Sequence, residues 1–290
     1  MRPPLFSVII VTRNRANVIA GSVRSVLRQD FDAMEYELIV VDNGSDDDTL
    51  NIVKELQQSS FQQMEVVTET RPGVSHARNA GRLIARGKWI LYLDDDALAP
   101  TNLLHMYQAW INKYPESDAW GGGAKLKYPV KLPHFWSSHF DGMLSALDLG
   151  NDPIIMAFPM TPYGLNMMIK REVLEALGGF RNEIVFGGDE TDLFWRMEKK
   201  QKIIRYAPDC VVTHAVDLSR FSYKWLLSAA YRSGGYHRNF DKFNGNIRVG
   251  WKMISSGWLM VVVGRRGFIP VAFAMHILRV LGYLHKYWGK

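Results

Sequence analysis

Three nearly continuous apolar runs, Leu5–Val11, Glu37–Val41 and Trp89–Leu93, constrain the fold of this chain more than any other feature. Each is too short for a core helix and rich in Val, Ile and Leu, the pattern of a strand buried on both faces. A fourth run, Met64–Thr68, is less apolar. Helix-like segments lie between them, near 16–28, 47–58 and 74–86. In the second, Leu50, Val53 and Leu56 recur at helical spacing behind Ser45 and Asp46, which read as capping residues. In the third, Ala77, Ala80, Gly81 and Ala85 leave a smooth face that lets a helix approach a sheet closely. Strand–helix alternation of this kind predicts an α/β fold, a mostly parallel sheet with right-handed crossovers and flanking helices.

The polar clusters fall in register with the strands. Thr12-Arg13-Asn14-Arg15 follows the first, Asp42-Asn43-Gly44-Ser45-Asp46 the second and Asp94-Asp95-Asp96 the fourth. All sit at carboxyl ends, where open α/β sheets bind ligands. No G-x-G-x-x-G follows the first strand, which counts against simple NAD binding. Three adjacent carboxylates repel one another unless a cation lies among them, and hard oxygen donors suit Mg²⁺ or Mn²⁺ bridging to phosphates. A solvated acidic turn is the alternative. Asp42 is placed to accept hydrogen bonds from a nucleotide base or ribose, or else to form an Asx-turn. Arg71 and Arg78 flank the start of the third helix, where fixed cationic donors and the helix dipole favour a diphosphate.

The middle third is less regular. Gly121-Gly122-Gly123 and the Pro- and aromatic-rich stretch 128–140 read as loops over a binding face. Gly187-Gly188-Asp189-Glu190-Thr191-Asp192 opens a helix with Leu193, Phe194 and Met197 on one side, and Trp195 reads as a packed residue. Residues 203–206 and 210–213 read as two short strands, ending at His214.

Taken in order, Ser-Val-Ile-Ile-Val-Thr-Arg-Asn-Arg, Val-Val-Asp-Asn-Gly-Ser-Asp-Asp, Arg-Pro-Gly-Val-Ser-His-Ala-Arg-Asn-Ala-Gly, Leu-Asp-Asp-Asp and Gly-Gly-Asp-Glu-Thr-Asp-Leu resemble the family 2 glycosyltransferases of the GT-A fold over about residues 5–215. The resemblance implies an inverting enzyme that uses a nucleotide-diphosphate sugar, most often UDP-linked, and a divalent metal, Mn²⁺ or Mg²⁺. It implies that Thr12, Arg13, Asn14, Asp42, Arg71 and Arg78 contact the donor. The family's Asp-x-Asp pattern falls on Asp94, facing ribose or sugar, and on Asp96, ligating the metal; Asp95 is open to either task. The acid pair on the acceptor side, usually Glu-Asp, is reversed here, and its second member nominates Glu190 as the base with Asp189 as the competitor. His214 is implied as a further metal or diphosphate ligand. The implied acceptor is a saccharide or a lipid-linked hydroxyl. A metal-dependent nucleotidyltransferase and a non-catalytic nucleotide-sugar-binding homologue are the alternatives.

The net charge of +6 hides an asymmetry: residues 220–290 carry 12 Lys and Arg against the single acid Asp241, whereas 1–219 carry 23 basic and 28 acidic residues. The division expected is a GT-A domain over 1–219, with nucleotide-sugar-binding (1–100) and acceptor-binding (101–219) parts, and a basic helical region over 220–290. The apolar runs Met253–Val263 and Gly267–Leu278, with Trp251, Trp258, Arg265 and Arg266 around them, are too short to span a bilayer, which needs ~20 residues. They suit helices lying on an anionic membrane or packing on another subunit, and fit lipid better than nucleic acid. One cysteine, Cys210, and the strand-like Leu5–Val11 behind Pro3-Pro4 in place of a signal peptide point to the cytoplasm, at the inner face of the membrane.

Overall fold

The computed structural model describes residues 2–60, 63–128, 131–184, 187–244, 275 and 277–281. Two compact units emerge, residues 1–127 with 145–215 and residues 128–144 with 216–290. The first holds an eight-stranded sheet. Its strands are β1 (Phe6–Thr12), β2 (Tyr36–Asp42), β3 (Met64–Thr68), β4 (Trp89–Asp94), β5 (Ala97–Leu98), β6 (Ala119–Leu126), β7 (Asn166–Lys170) and β8 (Ile204–His214), in the spatial order β3-β2-β1-β4-β7-β6-β8-β5. β1 to β4 are mutually parallel, β7 runs against β4 and β6, and β8 is parallel to β6. The carboxyl ends of β1, β2, β4 and β8 therefore share one edge of the sheet.

Alternation along the strands makes two cores. Phe6, Val8 and Ile10 of β1 pack with α1 (Ile19–Leu27), α2 (Thr49–Gln58) and α4 (Leu103–Lys113), whereas Ile9 joins Ile39 and Val41 on the other face. That second face is covered by α3 (Val74–Ile84), α5 (Arg171–Ala176) and α6 (Asp189–Lys199). The result is three layers, helices on both faces of a buried sheet. Gly81 brings α3 down onto the strands: a Cβ there would meet Ile9 Cγ2 at 2.8 Å and Val41 Cγ2 at 3.1 Å.

Three local expectations are corrected. Ser45 and Asp46 do not cap α2; Asp47 Oδ1 accepts the Thr49 backbone N–H at 3.0 Å, while Ser45 Oγ accepts from Asn14 N. Gly121–Gly123 are not a loop but the buried middle of β6. Side chains are excluded there by close neighbours, not by a turn. A Cβ on Gly122 would lie 2.1 Å from Asn166 Nδ2 and 2.3 Å from the Cys210 carbonyl. The two strands expected over 203–213 are one, β8, whose pairing with β6 slips between Gly122 and Gly123. Pro208 lies in the shifted stretch, where a missing ladder donor is tolerated.

The second unit contains short 3₁₀ turns at Ser138–Leu144 and Leu218–Arg220, α7 (Tyr223–Asn244) and helical residues at 275 and 277–281. Trp136 packs on Phe221 with ring centroids 4.6 Å apart, and Phe135 stacks on Tyr223 at 3.6 Å. Met253–Val263, most of Gly267–Leu278, and Trp251, Trp258, Arg265 and Arg266 lie outside the described residues. Among the described residues no helix is long and apolar enough to cross a membrane.

The Gly122 environment gives a direct test. Tyr107 donates to Asn166 Oδ1 at 2.7 Å, and Asn166 donates to the Gly123 and Cys210 carbonyls at 3.1 and 2.8 Å. Gly122→Ala has to push this network aside and lowers stability by about 1–3 kcal/mol; an unchanged urea midpoint would show that the packing is looser than described.

Candidate active site

The sheet edge brings the polar clusters together because β1 lies between β2 and β4. Val11 pairs with Asp94 and Thr12 with Asp42, so residues just past each strand end are neighbours. The loops after β1 and β2 are tied to each other: Asn14, at φ 53°, accepts from the Asp46 N–H at 2.8 Å and donates its own N–H to Ser45 Oγ at 2.9 Å. Arg13 is exposed at the same strand end.

Asp42 is 1% exposed. Its Oδ2 accepts the Ser45 N–H at 3.1 Å, a bond three residues on that closes the loop in place of the two-residue Asx-turn, while Oδ1 is buried without a hydrogen-bond partner among the described residues. A buried acceptor of this kind costs free energy until a donor reaches it. Asn43 beside it donates to the carbonyls of Glu69 and Arg71 at 2.9 and 2.7 Å and accepts from Gly73 N at 2.9 Å. That one side chain fixes the loop from which α3 springs. Gly73, at φ 126°, supplies the turn an L side chain rarely adopts.

The triplet is divided among different partners. Asp95 Oδ2 accepts from Thr12 Oγ1 at 2.9 Å and its Oδ1 from Arg15 Nε at 3.0 Å. Asp96 is buried, with Oδ1 3.1 Å from His214 Nε2 and Oδ2 bonded by Arg15 Nη2. Asp94, its side chain 45% exposed, faces Arg78 Nη2 at 3.6 Å. Loss of water around the strand end raises the carboxyls of Asp94 and Asp95, the latter to about 6. Arg78 and Arg15 respectively pull them back down, and the neighbouring Asp96 adds to the rise.

Arg78, on α3, is buried and reaches from the strand edge to the start of α6. Its Nη1 donates to Asp189 Oδ2 and lies 3.7 Å from Glu190 Oε2, so one guanidinium serves Asp94, Asp189 and Glu190. Gly164 gives it room, since a Cβ there would sit 2.1 Å from Arg78 Nη2. Phe180 packs against it, 5.5 Å from its Cζ. Asp189 and Glu190 open α6, where the helix dipole favours negative charge. Their surroundings differ: the Asp189 side chain is 1% exposed and that of Glu190 24%. Loss of water and the charge of Asp189 push the Glu190 carboxyl well above the ordinary glutamate range, against the pull of Arg78. Trp195 packs edge-on to Phe158 at 5.1 Å, with Lys199 Nζ 4.2 Å over its ring.

Arg71 is apart from this assembly. Its side chain is 62% exposed and bonds Glu69 at 2.6 and 3.0 Å, drawing that carboxyl down to about 2. Sequence reasoning did not single out Gly164, and it named Arg15 and Asn43 only as members of the polar clusters after the first two strands, with no role of their own. Arg15 was within reach: with β1 beside β4, a cation just past Thr12 falls opposite Asp95.

Among the described residues no group of three or more His, Cys, Asp or Glu side chains is arranged to hold a metal ion. Asp96 and His214 nevertheless converge as one carboxylate and one imidazole, a donor pair of the kind Mn²⁺ accepts when phosphates and water complete its shell.

The glycosyl transferase family 2 profile matches residues 7–178. The chain belongs to that family. Its relatives include a PGL/p-HBAD biosynthesis glycosyltransferase of Mycobacterium bovis BCG, 35% identical over 119 residues that make up 41% of this chain and 46% of that protein. The glycosyltransferase AglE of Haloferax volcanii is 26% identical over 64% of this chain and 59% of its own. The family 2 chain thus spans about half the length of the curated relatives it matches. Among solved structures it is similar to the mannosyltransferase PcManGT of Pyrobaculum calidifontis, determined with GDP-Man and Mn²⁺, at a TM-score of 0.68 and 19% identity over 99% of this chain and 88% of that one. Staphylococcus aureus TarS 1–349 is similar at 0.57 and 19%, over 98% and 92%. At those identities the likeness establishes the GT-A-type fold, as the mixed sheet with flanking helices already indicates.

The Arg78 cluster sets its own stability test. Arg78→Met leaves the buried Asp189 and the half-buried Glu190 without a cation, which lowers stability at pH 8 by about 3–5 kcal/mol. Without the guanidinium the Glu190 carboxyl rises further above its unfolded value, so the folded variant holds a proton that the unfolded chain has released. The deficit therefore shrinks as pH falls towards the unfolded carboxylate range near ~4. Equal urea-melt deficits at pH 8 and pH 5 would contradict the assignment.

Proposed function

We propose that this chain transfers a sugar from a nucleotide-diphosphate sugar to an acceptor hydroxyl with inversion, in the synthesis of a glycolipid or surface polysaccharide. One observation carries the reading: Arg78 gathers Asp94, at the strand edge, and Asp189 and Glu190, at the start of α6, onto a single guanidinium. Donor-binding and proton-accepting groups thereby share one site. The glycolipid and polymer names of the relatives support the acceptor class, and the +11 balance of residues 220–290 supports contact with an anionic membrane at the inner face.

Asp42 Oδ1 takes an N–H of the base, which uracil presents at its imide and guanine on its pairing edge, and so satisfies a buried acceptor. UDP-linked donors are the first to test. Asp94 orients ribose or sugar, and Arg78 beside it favours its ionised form. Asp96 and His214 would hold a divalent metal. Bound there, the metal would offset charge on the departing diphosphate. Glu190 is the general base: it is the part-exposed member of the pair, whereas Asp189 is committed to Arg78. In a single displacement Glu190 accepts the acceptor's proton as the oxygen attacks the anomeric carbon and the nucleoside diphosphate leaves from the opposite face. The raised affinity of Glu190 for a proton suits a base working near neutrality.

Two outcomes follow. Glu190→Gln lowers kcat by roughly 10²–10⁴-fold with donor affinity unchanged; a benign Glu190→Gln beside a damaging Asp189→Asn would reverse the roles. Because Glu190 must be ionised, kcat/KM falls on the acid side, beginning above the ordinary glutamate range. Weakening the Arg78 attraction with Arg78→Lys moves that limb to higher pH. A limb that stays in place would remove Glu190 from the proton transfer.

A further inference from the structure

Arg15 stands where a metal would have to act. Its guanidinium bonds Asp96 Oδ2 while His214 holds Asp96 Oδ1, and its Nε bonds Asp95, which Thr12 clamps from the other side. Both oxygens of Asp96 are thus engaged, in a residue 4% exposed. A cation approaching that carboxylate must loosen a charge-assisted bond at little gain, since it replaces one positive charge with another. A diphosphate changes the balance. It offers Arg15 oxygens of the kind a guanidinium binds in bidentate fashion, and offers the cation the phosphate ligands it prefers.

We propose that Arg15 is a positioning residue that makes metal and nucleotide binding interdependent: it guards Asp96 in the free protein and transfers to the diphosphate when the donor arrives. The inference rests on the metal-assisted reading above. Binding energies of two ligands coupled in this way are reciprocal, so the coupling is measurable from either side.

The experiment is equilibrium binding of Mn²⁺, followed by electron paramagnetic resonance, with and without UDP or GDP, to the full chain and to Arg15→Gln and Arg15→Lys. The full chain should bind Mn²⁺ at least tenfold more tightly with the nucleotide. In Arg15→Gln, Mn²⁺ alone should bind more tightly than to the parent, and the nucleotide should add less than threefold. Arg15→Lys keeps the charge without the bidentate fork and should fall between them. A merely structural role would weaken Mn²⁺ binding in both conditions and lower the melting temperature. Coupling retained in a folded Arg15→Gln would overturn the proposal while leaving the transferase reading intact. Absence of Mn²⁺ binding to the parent under either condition would instead remove the metal-assisted reading on which the proposal rests.

Discussion

A buried guanidinium surrounded by carboxylates is the constraint on which the site depends. Asp189 is nearly inaccessible, Glu190 lies beside it, and Asp94 ends a strand whose next two residues are also acids. Like charges this close do not all remain ionised in a water-poor setting without a fixed cation. Arg78 supplies it, and the local structure exists to deliver it: Asn43 pins the loop before α3, Gly81 seats the helix on β1 and β2, and Gly164 leaves space for the guanidinium. Replacing the arginine with a well-packed apolar residue would leave the acids stranded, so the cluster is a specific requirement of this edge rather than a general source of stability.

The acid triplet shows the same economy. Its three consecutive carboxylates are parted among three sets of partners, Arg78 for Asp94, Thr12 and Arg15 for Asp95, Arg15 and His214 for Asp96. Three elements far apart in sequence, the ends of β1 and β8 and the body of α3, therefore converge on three consecutive residues. The topology makes that possible, because β1 adjoins β4, and β5, which directly follows the triplet, pairs with β8 so that Ala97 lies opposite His214.

Much of this was legible in the sequence. Apolar runs buried on both faces leave little choice but strands, and β1 to β4 fall where those runs do. The polar clusters at their ends followed from strand direction alone. What escaped were features set by contacts distant in sequence. Gly121–Gly123 read as a loop because glycine usually marks a turn, yet they lie in β6, where at Gly122 the neighbouring Asn166 and the Cys210 carbonyl exclude any side chain. Arg13 and Arg15 are indistinguishable by composition, and only the β1–β4 pairing selects Arg15 for the triplet. Arg71 looked equivalent to Arg78 until Glu69, two residues before it, claimed its guanidinium.

The most direct test of the account is a crystal structure of the full chain with a nucleoside diphosphate and Mn²⁺. The account predicts a base N–H on Asp42 Oδ1, the ribose or sugar side towards Asp94, and the metal on Asp96 and His214, with Glu190 facing the space beyond the terminal phosphate. A nucleotide bound away from the carboxyl ends of β1, β2 and β4, or at that edge with Asp42 Oδ1 still unpaired, would contradict it.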